Sequence, residues 1–297
     1  KQVNWGNASD DTKTEKNSFT FTVQLTDEEG TALTGTYPYY IDGADTASGN
    51  LILTNGQGEI TINGGQSVYI DGLPAGTKFT VTEEGANSKG FKTTDSTSQQ
   101  GVQNTETDGV VSGTIAAGTQ TSTTFTNTYH AADVNLSTDT TLKVQKNLTG
   151  RDWRDSDTFT FEIDGLGNTA GSGITTPEPG QTTVTVTEAT ENKTASFGDI
   201  TFTAPGEYRY AITEDNDTEP IPGIDYSAAI YRVIVTVTDN GEGALEISDV
   251  AIEQRQNDDG KEPEQQPSIT GDTVVFTNTY EVTNGSTNID GTKDYQD

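Results

Sequence analysis

The pentapeptide FTNTY occurs twice in the chain, at residues 125–129 and 276–280. Side chains alternate along a strand, so residues two apart share a face. Phe125, Asn127 and Tyr129 therefore line one face, as do Phe276, Asn278 and Tyr280. A carboxylate recurs in the same kind of company: Phe79, Val81 and Glu83 share a face, and so do Tyr208, Tyr210, Ile212 and Glu214. A lysine does so as well, in Leu142, Val144, Lys146 and Leu148, and at the start in Lys1, Val3 and Trp5. Each half thus carries one Lys, one Glu and one Asn on faces that should point into a core. An unpaired buried charge is expensive, but the three groups together have a chemistry. Desolvation lowers the pKa of an amine and raises that of a carboxyl. A neutral amine is a nucleophile, and the side-chain amide of Asn offers it a carbonyl carbon. A carboxyl between them can carry protons from the amine to the departing ammonia. The expected product is a Lys–Asn amide, made once and kept.

Taken singly, each residue has an ordinary explanation. A Lys near a strand end commonly lays its stem along the core and holds its charge in water, and a Glu after V-T commonly ends a strand. The recurrence of all three, in the same order in both halves, favours the chemical reading.

Strands must position these residues. "FTFTVQL" (19–25), "FTFEI" (159–163), "YRYAI" (208–212) and "AIYRVIVTV" (229–237) alternate with the period of half-buried strands, and no long stretch has helical period. A nearly all-β chain is expected. Its halves share an order of elements: a Lys-bearing segment ("KQVNWG", 1–6; "KNLTG", 146–150), an F-T-F strand, a tight turn leading to a strand that ends in T-E, and FTNTY. The repeat is too long for a solenoid, so two tandem sandwich domains are expected, at 1–130 and 141–281. Between them 131–140 reads as a polar linker, and 282–297 as a tail or tether.

These residues resemble the Gram-positive pilin and surface-adhesin family whose domains carry intramolecular isopeptide bonds, including the streptococcal-type major pilin and the collagen-adhesin B-type domains. That family places a Lys on the first strand, a Glu in a V/I-T-E strand and an Asn in a final F-T-N strand. Matched residue by residue, "LKVQKNLTG" gives Lys146, "YAITED" gives Glu214 and "VVFTNTY" gives Asn278; "FTVTEE" gives Glu83 and "TTFTNTY" gives Asn127. For the first Lys, "KQVNWG" parallels "KNLTG" and gives Lys1, with Lys13 and Lys16 as the nearby substitutes. The resemblance implies two tandem Ig-like β-sandwich domains, cross-links Lys1–Asn127 and Lys146–Asn278, and Glu83 and Glu214 as the groups that promote them. No cofactor and no metal are expected.

Other signals are weaker. "LPAGT" (73–77) differs in order from a sortase sorting signal and reads as a turn before a strand. The acidic runs at 26–30, 214–219 and 257–264 match no EF-hand loop and read as solvated loops. His130 is the only His, which argues against a Ser-His-Asp centre. Trp5 and Trp153 read as plugs over the core ends. A net charge of -30 repels nucleic acid, and no apolar run is long enough for a membrane span. With no Cys there are no disulfides, and the lack of any Met suggests a processed product or a fragment of a chain extending N-terminally. The expected function is a shaft or stalk segment on a bacterial surface, anchored to the cell wall through sequence outside this chain. Its expected partners are other copies or domains of the same polymer. The alternative is an adhesin module that recognises host glycan or matrix protein. A glycosidase would need paired carboxylates in a cleft, and the only recurrent carboxylates are the two T-E sites.

Overall fold

The computed structural model describes residues 1–97, 103–104, 109–118, 120–136, 141–216, 220–266, 269 and 271–281. The expected tail 282–297, residues 137–140 of the expected linker and residues 217–219 of the second acidic run lie outside the described residues. Among the described residues the regular structure is nearly all strand. One short α-helix, Asp10–Glu15, and a single 3-10 turn, Glu191–Lys193, break the pattern among these residues. Ser9 caps the helix by accepting a hydrogen bond from the Thr12 amide, and Asp10 and Asp11 favour its positive first turn. At six residues it is too short to show a helical period in the sequence.

Two compact units emerge. The first takes in Lys1–Val134 with Phe202–Gly206 and Thr236–Ser248; the second takes in Asn135–Thr201, Glu207–Val235 and the chain from Asp249 on. The division is therefore not a single cut in the chain. Within the segment expected as a polar linker, Ala131 and Leu136 are buried and Val134–Leu136 forms a short strand.

In the first unit a three-stranded sheet runs in the order Gln2–Asn4, Thr123–Tyr129, Phe91–Thr97. It packs on a five-stranded sheet ordered Gln57–Asn63, Ser18–Thr26, Lys78–Glu83, Val110–Thr114, Gln103–Asn104. A further three-stranded sheet holds Gly49–Leu53, Gly35–Ile41 and Val68–Ile70. Strand Ser18–Thr26 shows why the sheets pack as they do. Phe19, Phe21, Val23 and Leu25 are all buried and alternate with exposed or half-buried residues, so one face is apolar and must be covered. Burying one such Phe stabilises by roughly 2 kcal/mol. Phe21 meets Phe125 of the opposite sheet with ring centroids 5.1 Å apart.

The other half repeats this. A four-stranded sheet runs Thr194–Ser196, Lys143–Thr149, Thr273–Tyr280, Ile224–Asp225. The five-stranded sheet runs Thr183–Thr187, Thr158–Asn168, Gly206–Asp215, Ile230–Asp239, Leu245–Gln256. Phe161 meets Phe276 across the sheets at 5.0 Å, the counterpart of Phe21 and Phe125. In both halves the first and last strands lie side by side and run parallel. That pairing cannot come from a hairpin. It requires the whole intervening chain to cross between them.

Candidate functional site

Strand register brings the six candidate residues together as two triads. Lys143–Thr149 pairs with Thr273–Tyr280 so that Lys146 stands opposite Phe276 and Leu148 opposite Asn278. In the first unit Gln2 stands opposite Thr126 and Val3 opposite Asn127, so Lys1, one step earlier, falls opposite Phe125. In each case the Lys precedes the partner of the Asn by two residues, on the same face. The carboxylates come from the facing sheet, also in matching register. Glu214 stands opposite Phe161 and Glu83 opposite Phe21, each on the F-T-F strand.

The Lys146 Nζ donates to Glu214 Oε2 at 2.8 Å, and Asn278 Nδ2 donates to Glu214 Oε1 at 2.9 Å. Lys146 is 1% exposed, Glu214 7% and Asn278 0%. In the first unit Lys1 Nζ donates to both oxygens of Glu83, at 2.7 and 2.8 Å, and Asn127 Nδ2 donates to Glu83 Oε1 at 2.6 Å. Both carboxylates thus bridge the amine and the amide nitrogen. The substitutes Lys13 and Lys16 lie elsewhere: Lys13 is ion-paired with Asp10 on the helix surface, and Lys16 forms the helix C-cap.

Burial sets the protonation of these groups. It pushes the Lys146 amine down to about 8, against the opposing charge and hydrogen bond of Glu214. It pushes the Glu214 carboxyl up, against Lys146, the Asn278 amide and the Ser227 backbone. The Lys1 amine is lowered for the same reason, with Glu83 opposing. For Lys146 and Glu214, both shifts favour transfer of a proton from amine to carboxyl. Completing that transfer would give the neutral pair that attack on an amide needs.

Sequence reasoning marked the F-T-F segments as landmarks but gave them no part in the site. The structure sets their rings beneath the amines. Lys1 Nζ lies 4.4 Å from the Phe19 ring centroid, and Lys146 Nζ lies 4.8 Å from that of Phe159. Trp153 packs edge-on against Phe159 at 5.3 Å, and Trp5 edge-on against Phe91 at 5.7 Å. Both tryptophans therefore pack against aromatic rings of the core. The two glycines that follow the lysines are also explained. Gly6 and Gly150 have φ of +47° and +83°, and a Cβ on either would sit 2.2 Å from the carbonyl oxygen of Tyr129 or Tyr280. "LPAGT" is a turn: the Thr77 amide donates to the Pro74 carbonyl, ahead of strand Lys78–Glu83. Among the described residues no cluster of three or more acidic or His side chains could hold a metal ion.

Residues 142–281 match the family model FctA, described as a Spy0128-like isopeptide containing domain. This half of the chain is similar to an isopeptide-containing pilin domain. Residues 1–129 match a separate model, DUF7601, a domain of unknown function. The pilus tip adhesin Cpa of Streptococcus pyogenes is 38% identical over 72 residues, which are 24% of this chain and 10% of that protein. The chain thus spans about a tenth of the length of the curated relative it matches. Among solved structures, the pilus-presented adhesin Spy0125 (Cpa) is 23% identical over 43% of this chain and 26% of its own, with a TM-score of 0.29. The major pilin of Streptococcus pyogenes is 17% identical over 94% of this chain and 96% of its own, with a TM-score of 0.20. The FctA-type domain contains the whole Lys146, Glu214 and Asn278 triad. The DUF7601 region contains the matching triad of Lys1, Glu83 and Asn127.

Proposed function

We propose that the chain is a structural shaft or stalk segment of a Gram-positive surface pilus or adhesin, in which two domains, 1–130 and 141–281, are each locked by a self-formed isopeptide bond. The observation that carries this reading is the pair of buried Lys–Glu–Asn triads, alike in register and in hydrogen bonding. In the unreacted domain Lys146 Nζ gives one proton to Glu214 and its lone pair attacks Asn278 Cγ. A second proton passes from Nζ through Glu214 to Nδ2 as the Cγ–Nδ2 bond breaks. Ammonia leaves, the new amide keeps one hydrogen, and Glu214 ends protonated. Glu83 does the same between Lys1 and Asn127. The chain acts only on itself.

The bond suits a load-bearing role because it joins the first strand to the last. Tension entering at Lys143–Thr149 and leaving at Thr273–Tyr280 passes through it and bypasses the strands between. Treated as a disulfide is, closure of a loop of about 130 residues stabilises by about 5 kcal/mol. No helix among the described residues is long and apolar enough to cross a membrane. The reading puts the segment outside the cell, attached through sequence beyond this chain, with other subunits of the same polymer as its partners.

The test is intact mass and peptide mapping of the denatured chain. The expected result is a loss of two ammonia molecules and two branched peptides, Lys1 with Asn127 and Lys146 with Asn278. Recovery of unmodified Asn278 in most molecules would end the reading for the second domain, and unmodified Asn127 would end it for the first.

One observation favours an adhesin module as a second reading. Where strand Thr158–Asn168 bulges at Gly165 and Gly167, a cavity of about 640 Å3 opens beside Leu166, Ile174, Pro177 and Tyr210. Leu166 is 53% exposed there. Binding of a glycan or matrix protein that is lost on Leu166→Asp would support this reading; a chain that retains none on a broad array would leave the structural role alone.

A further inference from the structure

The Asn278 carbonyl oxygen has a partner that the three-residue pattern does not include. The backbone amide of Ser227 donates to Asn278 Oδ1 at 2.7 Å, in a fully buried contact. This amide is free to do so because the ladder stops short of it. Ile224 and Asp225 pair with Tyr280 and Thr279. The next step would set Tyr226 opposite Asn278, but the chain leaves the sheet there and turns the Ser227 N–H toward the side chain. A second residue holds the turn. Asp258 Oδ1 accepts from Ser227 Oγ at 2.5 Å and from the Thr277 amide at 3.0 Å. The Asp258 carbonyl accepts from the Ala228 amide at 3.0 Å, and Ser227 Oγ accepts from the Ala229 amide at 3.1 Å. Asp258 thus ties the turn to the strand that carries Asn278, one residue before it.

We propose that the Ser227 backbone amide stabilises the oxyanion formed when Lys146 attacks Asn278, and that Asp258 is the positioning residue that aims it. The inference rests on the isopeptide reading and adds to it. When Nζ bonds to Cγ, the carbonyl electron pair moves to Oδ1, which becomes an alkoxide. A fixed N–H already 2.7 Å from that oxygen, in a site closed to water, stabilises the charge without reorganising. As the Cγ–Nδ2 bond breaks the pair returns to the carbonyl, and the N–H then binds the oxygen of the finished amide.

The test follows the reaction in the full chain after a pulse of cell-free synthesis, by intact mass and by the yield of the branched Lys146–Asn278 peptide. Loss of one such donor slows related reactions by about 10²- to 10³-fold. Ser227→Pro, which deletes the N–H, is expected to slow bond formation by about that factor. Asp258→Ala, which keeps the N–H but frees the turn, is expected to slow it at least about tenfold, and Asp258→Asn, which keeps an acceptor oxygen, to restore most of the rate. A spectroscopic reading separates aiming from folding. In the unreactive Lys146→Ala chain the Ser227 amide proton should resonate downfield, and Asp258→Ala should move it upfield while the remaining resonances stay dispersed. If Ser227→Pro does not fold, the Asp258 pair decides. Asp258→Ala reacting at the parent rate, Asp258→Asn as slow as Asp258→Ala, or an unmoved Ser227 resonance would each overturn the proposal. A parent chain that never loses ammonia would instead overturn the isopeptide reading on which it rests.

Discussion

The two triads differ at one strand. In the first unit the neighbour of the Asn strand, Phe91–Thr97, runs as an unbroken ladder beside it, and Asn127 stands opposite Thr93. The Thr93 amide turns away to donate to Asn87 Oδ1 at 2.9 Å, and among the described residues Asn127 Oδ1 has no hydrogen-bond partner. In the second, the neighbour breaks off after Asp225 and delivers the Ser227 amide to Asn278 Oδ1. Amine, carboxyl and amide nitrogen are arranged alike in both. The comparison separates two requirements: strand register assembles the reacting groups, whereas an interruption in the ladder supplies a donor for the carbonyl.

The largest expected effect tests what the sites share. Glu214→Ala should leave a folded domain without its cross-link. It should lose about 5 kcal/mol of loop closure and at least about 3 kcal/mol more for the stranded Lys146. Glu83→Ala should act in the same sense on the first unit. Denaturant unfolding with intact mass measures both. Normal ammonia loss in Glu214→Ala would show that its carboxyl is not the proton carrier.

The next effect, roughly 3 kcal/mol, depends on pH. In Asn278→Ala the Lys146 amine stays unreacted, with its folded pKa lowered to about 8 from an unfolded 10.5. Between these values the unfolded chain binds a proton that the folded one does not, so stability should rise with pH from about 8 to about 10.5. Glu214, with its raised folded pKa, works in the opposite sense above its unfolded 4.5. Adding Glu214→Gln removes that opposing contribution and, because Glu214 holds the Lys146 amine up, should extend the lysine-driven rise to lower pH. On the proposed reading the parent carries an amide in place of the amine and should lack this lysine-driven rise. A flat profile in Asn278→Ala would mean that burial does not hold the amine down.

The difference between the sites predicts a difference in rate. With a carbonyl donor at Asn278 and none among the described residues at Asn127, the Lys146–Asn278 peptide should appear first after synthesis. A single oxyanion donor sets the scale at about a hundredfold. Equal rates would remove the significance given to the interruption.

What could be read in the sequence follows from this division. Alternation puts side chains on faces, so Lys146, Glu214 and Asn278 were visible as polar residues on apolar faces, and the repeat brought Glu83, Asn127 and Lys1 with them. The parallel pairing of first and last strands was not visible, since it joins residues more than a hundred positions apart and has no local signature. Ser227 acts through its backbone, which leaves no trace in residue identity. Asp258 sits in an acidic run, "NDDGKEPE", whose composition suggests a solvated loop; only the fold selects one carboxylate of the run to turn inward and bind Ser227 and Thr277. The helix at Asp10–Glu15 did have a signal, Ser9 followed by two acidic residues, but no periodicity to support it.

The smallest effect probes the rings beneath the amines, and should be the same at both sites. Phe159 lies 4.8 Å from Lys146 Nζ and Phe19 lies 4.4 Å from Lys1 Nζ. A ring face attracts a cation by about 1 kcal/mol when partly desolvated, but has no such attraction for an amide nitrogen. The ring therefore contributes in two ways before the bond forms, by packing and by attraction, and by packing alone afterwards. Phe159→Leu should cost about 1 kcal/mol more in the unreacted Asn278→Ala chain than in the cross-linked parent. This holds at a pH below about 8, where Lys146 is protonated. Raising the pH through that value should close the gap, because the neutral amine loses the attraction too. Phe19→Leu measured against Asn127→Ala gives the same cycle in the first unit. Equal costs in the two backgrounds at low pH would mean that the amine is already neutral beside its carboxyl, with the proton on Glu214, and that the pair begins one proton transfer closer to reaction.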